Sequence, residues 1–293
     1  MTIKEENLDA LVCTLPMNVL LLSGYWPVIG TSAAIFTRDG KITLLVPEDE
    51  QSLAELGFAD EVFTFSTGGL DEMKELYVSI STPLSQIAGR SKIAGRVGYE
   101  SGPASVPVSY ASMNVYGAAM PELLETAFPN SVLVPAGAVL TRLRSTLTQQ
   151  EIVRVTTACD IAAAAFTTEA SKIRPGQAEA EIASAFRRHL SGLATKRDGP
   201  DRADGFIYCM SGENSYEAFA AFQRTGRRRV LNGDLVLVHC NSYLNGFWTD
   251  ITRTFCIGEY WYTRYSDRRE HDIGRNFCIL LGILASFFFL FQP

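Results

Sequence analysis

Residues 233–255 read Gly233-Asp-Leu-Val-Leu-Val-His-Cys-Asn-Ser-Tyr-Leu-Asn-Gly-Phe-Trp-Thr-Asp-Ile-Thr-Arg-Thr-Phe255, two β-prone runs with a turn dipeptide between them. Leu235 to His239 is a short apolar run, and Asn245-Gly246 is a strong hairpin signal. From Thr249 to Phe255, Ile251, Arg253 and Phe255 alternate with Asp250, Thr252 and Thr254. A hairpin follows. A four-residue loop would set His239 directly opposite Asp250, whereas a tight Asn245-Gly246 turn would set them diagonally. Side chains alternate with period two, so both registers leave His239 and Asp250 on one face, and only an odd slip such as a bulge would part them.

Working outward, the preceding segments read as two domains. In the first, Ala10 to Leu15, Ala33 to Phe36, Ile42 to Val46, Glu61 to Phe65, Arg96 to Tyr99 and Val132 to Val134 are expected strands. Helices fall between them, for example near Glu48 to Leu56 and Pro121 to Ala127. This is an α/β pattern, assigned to residues 1–140, and it contains no strand, G-x-G-x-x-G, helix order for a phosphate loop. The second region, residues 141–258, opens with a helix whose apolar stripe is Ile152, Val155, Cys159, Ala162 and Phe166. Pro175-Gly176 ends it, and Glu179 is expected as the N3 acid of a helix from Ala178 to Leu190, with His189 meeting the dipole at its end. A polar loop, Thr195 to Asp204, then leads to a strand at Phe206 to Met210.

Residues 259–293 do not share this character. An uninterrupted run of 15 apolar or small residues, Phe277 to Phe291, is shorter than the roughly 20 that span a bilayer as a helix. Arg268, Arg269 and Arg275 could flank a short tail anchor. The preferred expectation is that this tail is not the domain's natural continuation.

Composition narrows the function. The chain has 293 residues, 47% hydrophobic and 20% charged, with a net charge of -6. A sizeable core is affordable, and an acidic surface argues against nucleic acid. Arg224 with Arg227, Arg228 and Arg229 reads as a solvated loop. Six scattered cysteines without a C-x-x-C pair point to neither a zinc knuckle nor a disulfide framework. With no cleavable leader at the polar N-terminus, the expected location is cytoplasmic, the alternative being a tail-anchored membrane protein.

Four stretches resemble the pita-bread metallopeptidases, the group of aminopeptidase P, prolidase, methionine aminopeptidase and creatinase. Leu8 to Gly24 is similar to the opening of the creatinase-type N-terminal domain. Leu143-Arg144, Gln150-Glu151-Ile152 and Ile173 to Glu179 are similar to the first two helices of the catalytic domain. Ser211-Gly-Glu-Asn214 resembles the S-G-x-N segment, and Gly233 to Val238 with Thr249 to Phe255 resembles the G-D-L-V-L-x-D and D-I-T-R-T-F signature. The last is the most specific.

The resemblance implies an α/β N-terminal creatinase-like domain followed by an incomplete α+β pita-bread catalytic domain with a curved antiparallel sheet. It implies a hydrolase with two divalent cations, manganese, cobalt or zinc, that removes an N-terminal residue or dipeptide before proline from a small peptide. Such a pair, about 3.5 to 4 Å apart, shares an attacking hydroxide, and carboxylates suit it because they can bridge hard cations. Five ligands are implied: two acids in the hairpin, then a histidine and two glutamates. Here the first acid position holds His239 and the second Asp250, while the later three have no counterpart; His271 and Glu270 are not assigned to them. Counting from Ser211, the substrate-site histidine falls on Phe219, which has no proton to donate.

Each candidate has a plainer reading. Asp250 is either a metal ligand or a strand aspartate bonded to backbone or Thr252. His239 is either a ligand, one that would favour zinc over manganese, or a satisfied strand histidine. Phe219 is pocket wall or core. Glu213 and Glu217 lie near the presumed cleft. The leading expectation is a prolidase-type peptidase inactive as this chain. A catalytically dead peptide-binding module and a creatinase-like C–N hydrolase are the alternatives. Open sheet edges would make the chain poorly soluble or a homo-oligomer.

Overall fold

The computed structural model describes residues 3–28, 32–69, 71–100, 121–194, 202–216, 225–258 and 279–280. The described residues divide into two compact units, one up to Thr146 and one from Leu147 onward.

In the first unit the elements run β1 (Ala10–Cys13), α1 (Pro16–Ser23), β2 (Ala33–Thr37), β3 (Ile42–Pro47), α2 (Gln51–Ala54), β4 (Glu61–Phe65), a small β5 and β6 pair (Gly68–Gly69, Glu72–Met73), α3 (Leu76–Arg90), β7 (Gly95–Tyr99), α4 (Pro121–Ala127), β8 (Ser131–Pro135) and α5 (Gly137–Arg144). A six-stranded mixed sheet has the order β4-β3-β2-β1-β7-β8. The central strand β1 is apolar on both faces, as a strand between two helical layers must be. Ala10 and Val12 pack with Ile80, Leu84, Leu123 and Leu124 of α3 and α4. Leu11 and Cys13 pack on the other side with Val19 and Leu22 of α1 and Val139 and Leu140 of α5. The helix expected at Glu48 to Leu56 is shorter, a 3-10 turn at Glu48–Glu50 followed by α2.

One buried carboxylate ties this unit together. Glu100 accepts from the amides of Thr14 at 2.8 Å and Leu15 at 2.9 Å and from Asn18 Nδ2 at 2.7 Å. The otherwise orphaned amides at the start of α1 are thereby satisfied, and a charge at a helix N-terminus is favourable.

The second unit contains α6 (Gln149–Ala170), α7 (Glu179–Ala194), β9 (Ala203–Ser211), α8 (Glu213–Tyr216), β10 (Leu235–Leu244), β11 (Phe247–Cys256) and β12 (Ile279–Leu280). Its sheet is antiparallel throughout, in the order β12-β11-β10-β9. A reciprocal capping box starts α6: Glu151 N donates to Thr148 Oγ1, and Glu151 Oε2 accepts from Thr148 N.

The buried face of α6 differs from the expected stripe. Ala158, Ile161, Ala162, Ala165 and Phe166 are buried, while Ile152 is 42% exposed and Cys159 only half-buried. Small alanines let the helix approach the sheet closely, so side-chain size as well as hydrophobicity selects the face. Phe166 meets Phe186 of α7 edge-on, with ring centroids 5.2 Å apart, over a floor of Cys209, Val236, Val238, Cys240 and Phe255.

Three local expectations are corrected. The acid that caps the start of α7 is Glu181, whose Oε2 accepts from Ala178 N at 2.8 Å; Glu179 is instead fully buried. His189 does not close α7, which runs on to Ala194, and its Nδ1 lies 3.6 Å from Glu169 Oε1. Arg228 is not a solvated loop residue, since it pairs with Asp234 at 2.6 Å. For Glu179 and His189 the partners, Ser211 and Glu169, are distant in sequence, whereas for Arg228 a nearby aspartate takes the place of solvent.

Candidate functional site

The hairpin closes through a tight turn. Leu244 pairs with Phe247, and Asn245 and Gly246 take φ of 50° and 85°, the left-handed pair a two-residue turn demands. Asn245 is also tied to the start of β9, its amide donating to Arg202 O at 2.9 Å and its Oδ1 accepting from Arg202 N at 2.8 Å. Of the two registers open in the sequence, the diagonal one is realised: His239 opposes Thr252, and Asp250 opposes Asn241.

Parity then sorts the sheet into two faces. Val236, Val238, Cys240 and Leu244 of β10 turn towards α6 and α7. Leu237, His239, Asn241 and Tyr243 turn the other way, opposite Met210, Tyr208, Phe206 and Asp204 of β9 and Thr254, Thr252, Asp250 and Trp248 of β11. This second face carries the candidate chemistry.

His239 and Asp250 are brought together, Nδ1 to Oδ1 at 3.6 Å, with side chains 12% and 13% exposed. The imidazole has a closer partner on each nitrogen. Thr252 Oγ1 is 2.7 Å from Nδ1, and Asn241 Nδ2 is 3.2 Å from Nε2. An amide nitrogen has only protons to give, so Nε2 accepts and the ring proton sits on Nδ1, where it is donated to Thr252. Burial lowers the His239 pKa below that of an ordinary imidazole, opposed by the Asp250 charge. Burial likewise raises the Asp250 carboxyl, opposed by His239. Both effects follow from removing charge from water.

Aromatic rings flank this cluster. Phe206 and Trp248 lie parallel within 7° with centroids 6.3 Å apart, Tyr243 lies 4.6 Å from Trp248, and Tyr208 lies 6.1 Å from the His239 ring. All four are half-buried, forming an aromatic row across three strands.

A second network holds the segment that follows β9. Glu179 accepts from Ser211 N at 2.7 Å, Ser211 Oγ at 2.8 Å, Asn214 Nδ2 at 3.0 Å and Gly226 N at 3.2 Å. Arg228 Nη1 in turn donates to Ser211 Oγ at 2.7 Å. Gly212 is at φ 50°, and a Cβ there would collide with the Arg228 guanidinium. This explains the local pattern Ser211-Gly-Glu-Asn214: a hydroxyl and an amide for the buried carboxylate, with a glycine under the arginine. No reading of local spacing finds it, because Glu179 lies 32 residues from Ser211. Glu213 starts α8, while Phe219 and Glu217 fall outside the described residues.

Residues 154–273 match the profile described as Metallopeptidase family M24, and residues 2–146 match the Creatinase/Prolidase N-terminal domain. The chain thus carries an M24-type segment behind a creatinase/prolidase-type N-terminal segment. Its fold is accordingly a creatinase-type N-terminal domain followed by a pita-bread domain, of which the described residues carry the helices and antiparallel strands above. Among solved structures it is similar to an X-Pro aminopeptidase from Thermotoga maritima MSB8, with a TM-score of 0.64 and 18% identity, covering 86% of this chain and 64% of that one. A prolidase from Pyrococcus furiosus gives 0.59 and 23%, covering 88% and 64%. An Xaa-Pro dipeptidase from Bacillus anthracis gives 0.60 and 19%, covering 87% and 62%. The chain thus spans somewhat under two thirds of the length of these structures. No curated protein matches it at the sequence level.

M24 members generally use divalent metals, so the hairpin face can be tested for fit. Asp250 is a suitable oxygen ligand. His239 supplies neither charge nor a bridging oxygen, and both its nitrogens already have partners. Among the described residues no three His, Cys, Asp or Glu side chains converge on one point. The residues at this face do not fit a two-metal centre. Nor is any helix of the described residues long and apolar enough to cross a membrane; the Phe277 to Phe291 run falls almost wholly outside them.

Proposed function

We propose that this protein is a prolidase-type or aminopeptidase-P-type member of its family, that its sheet face addresses short peptides with proline at the second position, and that this chain does not hydrolyse them. The observation that carries the reading is the hairpin itself. It retains the family's D-I-T-R-T-F strand with Asp250 facing the same side as an aromatic row, yet presents His239 where a second acid would be needed to bridge manganese, cobalt or zinc.

Peptide binding without turnover is favoured specifically by Phe206, Tyr208, Tyr243 and Trp248. Rings on a half-buried sheet face suit the apolar ring of proline, and the Asp250 carboxylate suits a peptide ammonium group. A creatinase-like C–N hydrolysis is the weaker reading, because the resemblance places its histidine at Phe219. Self-association as a homo-oligomer is part of the same reading: β9 is the last strand of its sheet among the described residues, although its Ser211 and Cys209 amides already bond Glu179 and Thr225.

The test is an assay of purified chain with Xaa-Pro dipeptides and tripeptides and added manganese, cobalt or zinc, alongside Trp248 fluorescence titrations with the same peptides. Binding without turnover is expected. Metal-dependent hydrolysis well above a His239→Ala, Asp250→Ala double variant would refute the inactivity, and an absence of peptide binding would refute the role of the face.

A further inference from the structure

We infer that in this chain the hairpin has exchanged a cation for a hydrogen-bonded cluster, in which Asn241 and Thr252 occupy the two ring nitrogens of His239 beside Asp250, so that this face neither takes a divalent metal nor depends on one for its order. The geometry rests on which electron pairs are free. A neutral imidazole offers a metal one lone pair, on the nitrogen without the proton. Here that nitrogen is Nε2, and Asn241 Nδ2 already points at it from 3.2 Å.

Coordination through Nε2 would require Asn241 to swing away, leaving a side chain only 9% exposed without that partner. Coordination through Nδ1 would require the other tautomer and the loss of the 2.7 Å contact to Thr252. The first route breaks one hydrogen bond and the second breaks both, because the proton moved to Nε2 would then face the Asn241 amide. The same arrangement supplies what a cation would otherwise provide. The protonated Nδ1 lies 3.6 Å from Asp250 Oδ1, so the positive end of the ring dipole faces the carboxylate. His239 partly offsets the burial of Asp250 from within the sheet, and Thr252 holds the ring in that orientation. His239 is therefore a structural replacement for a metal and not a reduced version of a metal ligand.

The inference concerns metal alone and stands apart from peptide binding, which the aromatic row could provide in either case. It is tested on the full chain by nuclear magnetic resonance of histidine labelled with nitrogen-15, assigned by loss of signal in His239→Gln, with manganese added and His189 as the internal control. The expected result is a neutral ring protonated on Nδ1 whose signals manganese does not broaden, together with no stoichiometric manganese, cobalt or zinc retained after desalting. Selective broadening of the His239 signals, or one retained ion per chain that Asp250→Asn abolishes, would overturn the inference.

A gain-of-function variant makes the complementary test. His239→Asp sets two carboxylates diagonally across the strands, so its melting temperature should fall without metal and rise again with manganese, unlike the wild type. A His239→Asp protein that folds and is indifferent to manganese would show that His239 is not what excludes the cation. Should that variant fail to fold, the wild-type resonance and metal measurements decide by themselves.

Discussion

Replacing Glu179 by alanine should destabilise the second unit selectively. The carboxylate is fully buried and accepts from Ser211 N and Oγ, Asn214 Nδ2 and Gly226 N. Truncation would leave the Ser211 amide without a partner in a site with no exposure, at a cost of about 1–3 kcal/mol. The Ser211 hydroxyl would keep its bond from Arg228, and the half-buried Asn214 and Gly226 could find water, so their losses are smaller. Adding the charge-assisted character of the bonds puts the total near 3–5 kcal/mol, in the range for breaking a buried charged network. Glu179→Gln retains an oxygen for Ser211 but turns its amide towards the Gly226 N–H, donor against donor, and should cost about 1–2 kcal/mol. The assay is amide hydrogen exchange read on peptides covering β9 and α8, with β1 and β2 of the first unit as the internal reference. An alanine variant within about 1 kcal/mol of wild type, or a glutamine variant as damaging as alanine, would refute the role assigned to this carboxylate.

Other consequences are simpler to check. Asp204 is held below the ordinary carboxyl range by its bidentate bond from Arg187; its stabilising contribution should be present above the unfolded carboxyl pKa and disappear as pH falls through the lower folded value. Because Arg187 is more than half exposed, Asp204→Asn should cost no more than about 1 kcal/mol at neutral pH, and urea unfolding should show that difference closing in strong acid. Cys209 and Cys240 are buried, and burial pushes both thiols up to about 12. Neither should react with iodoacetamide at pH near 8 until the chain is denatured, as mass spectrometry of the alkylated protein would reveal. Gly246→Val forces a β-branched residue to φ 85° and should cost about 1–3 kcal/mol, measurable as a fall in melting temperature, whereas Gly246→Asn should be far milder.

Local sequence was a good guide wherever neighbours in the chain decide the outcome. The strands Glu61–Phe65 and Leu235 onward, the Asn245-Gly246 turn and the alternation from Thr249 to Phe255 all follow from propensity and period. The roles of Glu179 and Glu100 were not legible. Each carboxylate is defined by donors that are distant in sequence, Glu100 bonding Thr14 across 86 residues, and a spacing rule sees only acids near helix starts. His189 is a similar case, its partner Glu169 lying on the preceding helix.

The hairpin shows where the division falls. Its sequence alone determined that His239 and Asp250 share a face, because the side-chain period of two makes every even register equivalent in that respect. Tertiary structure decided the diagonal pairing and the placing of Asn241 and Thr252 on the two ring nitrogens. Parity along a strand is a property of the backbone and travels with the sequence. Which lone pairs remain available depends on the partners folding brings within hydrogen-bonding distance.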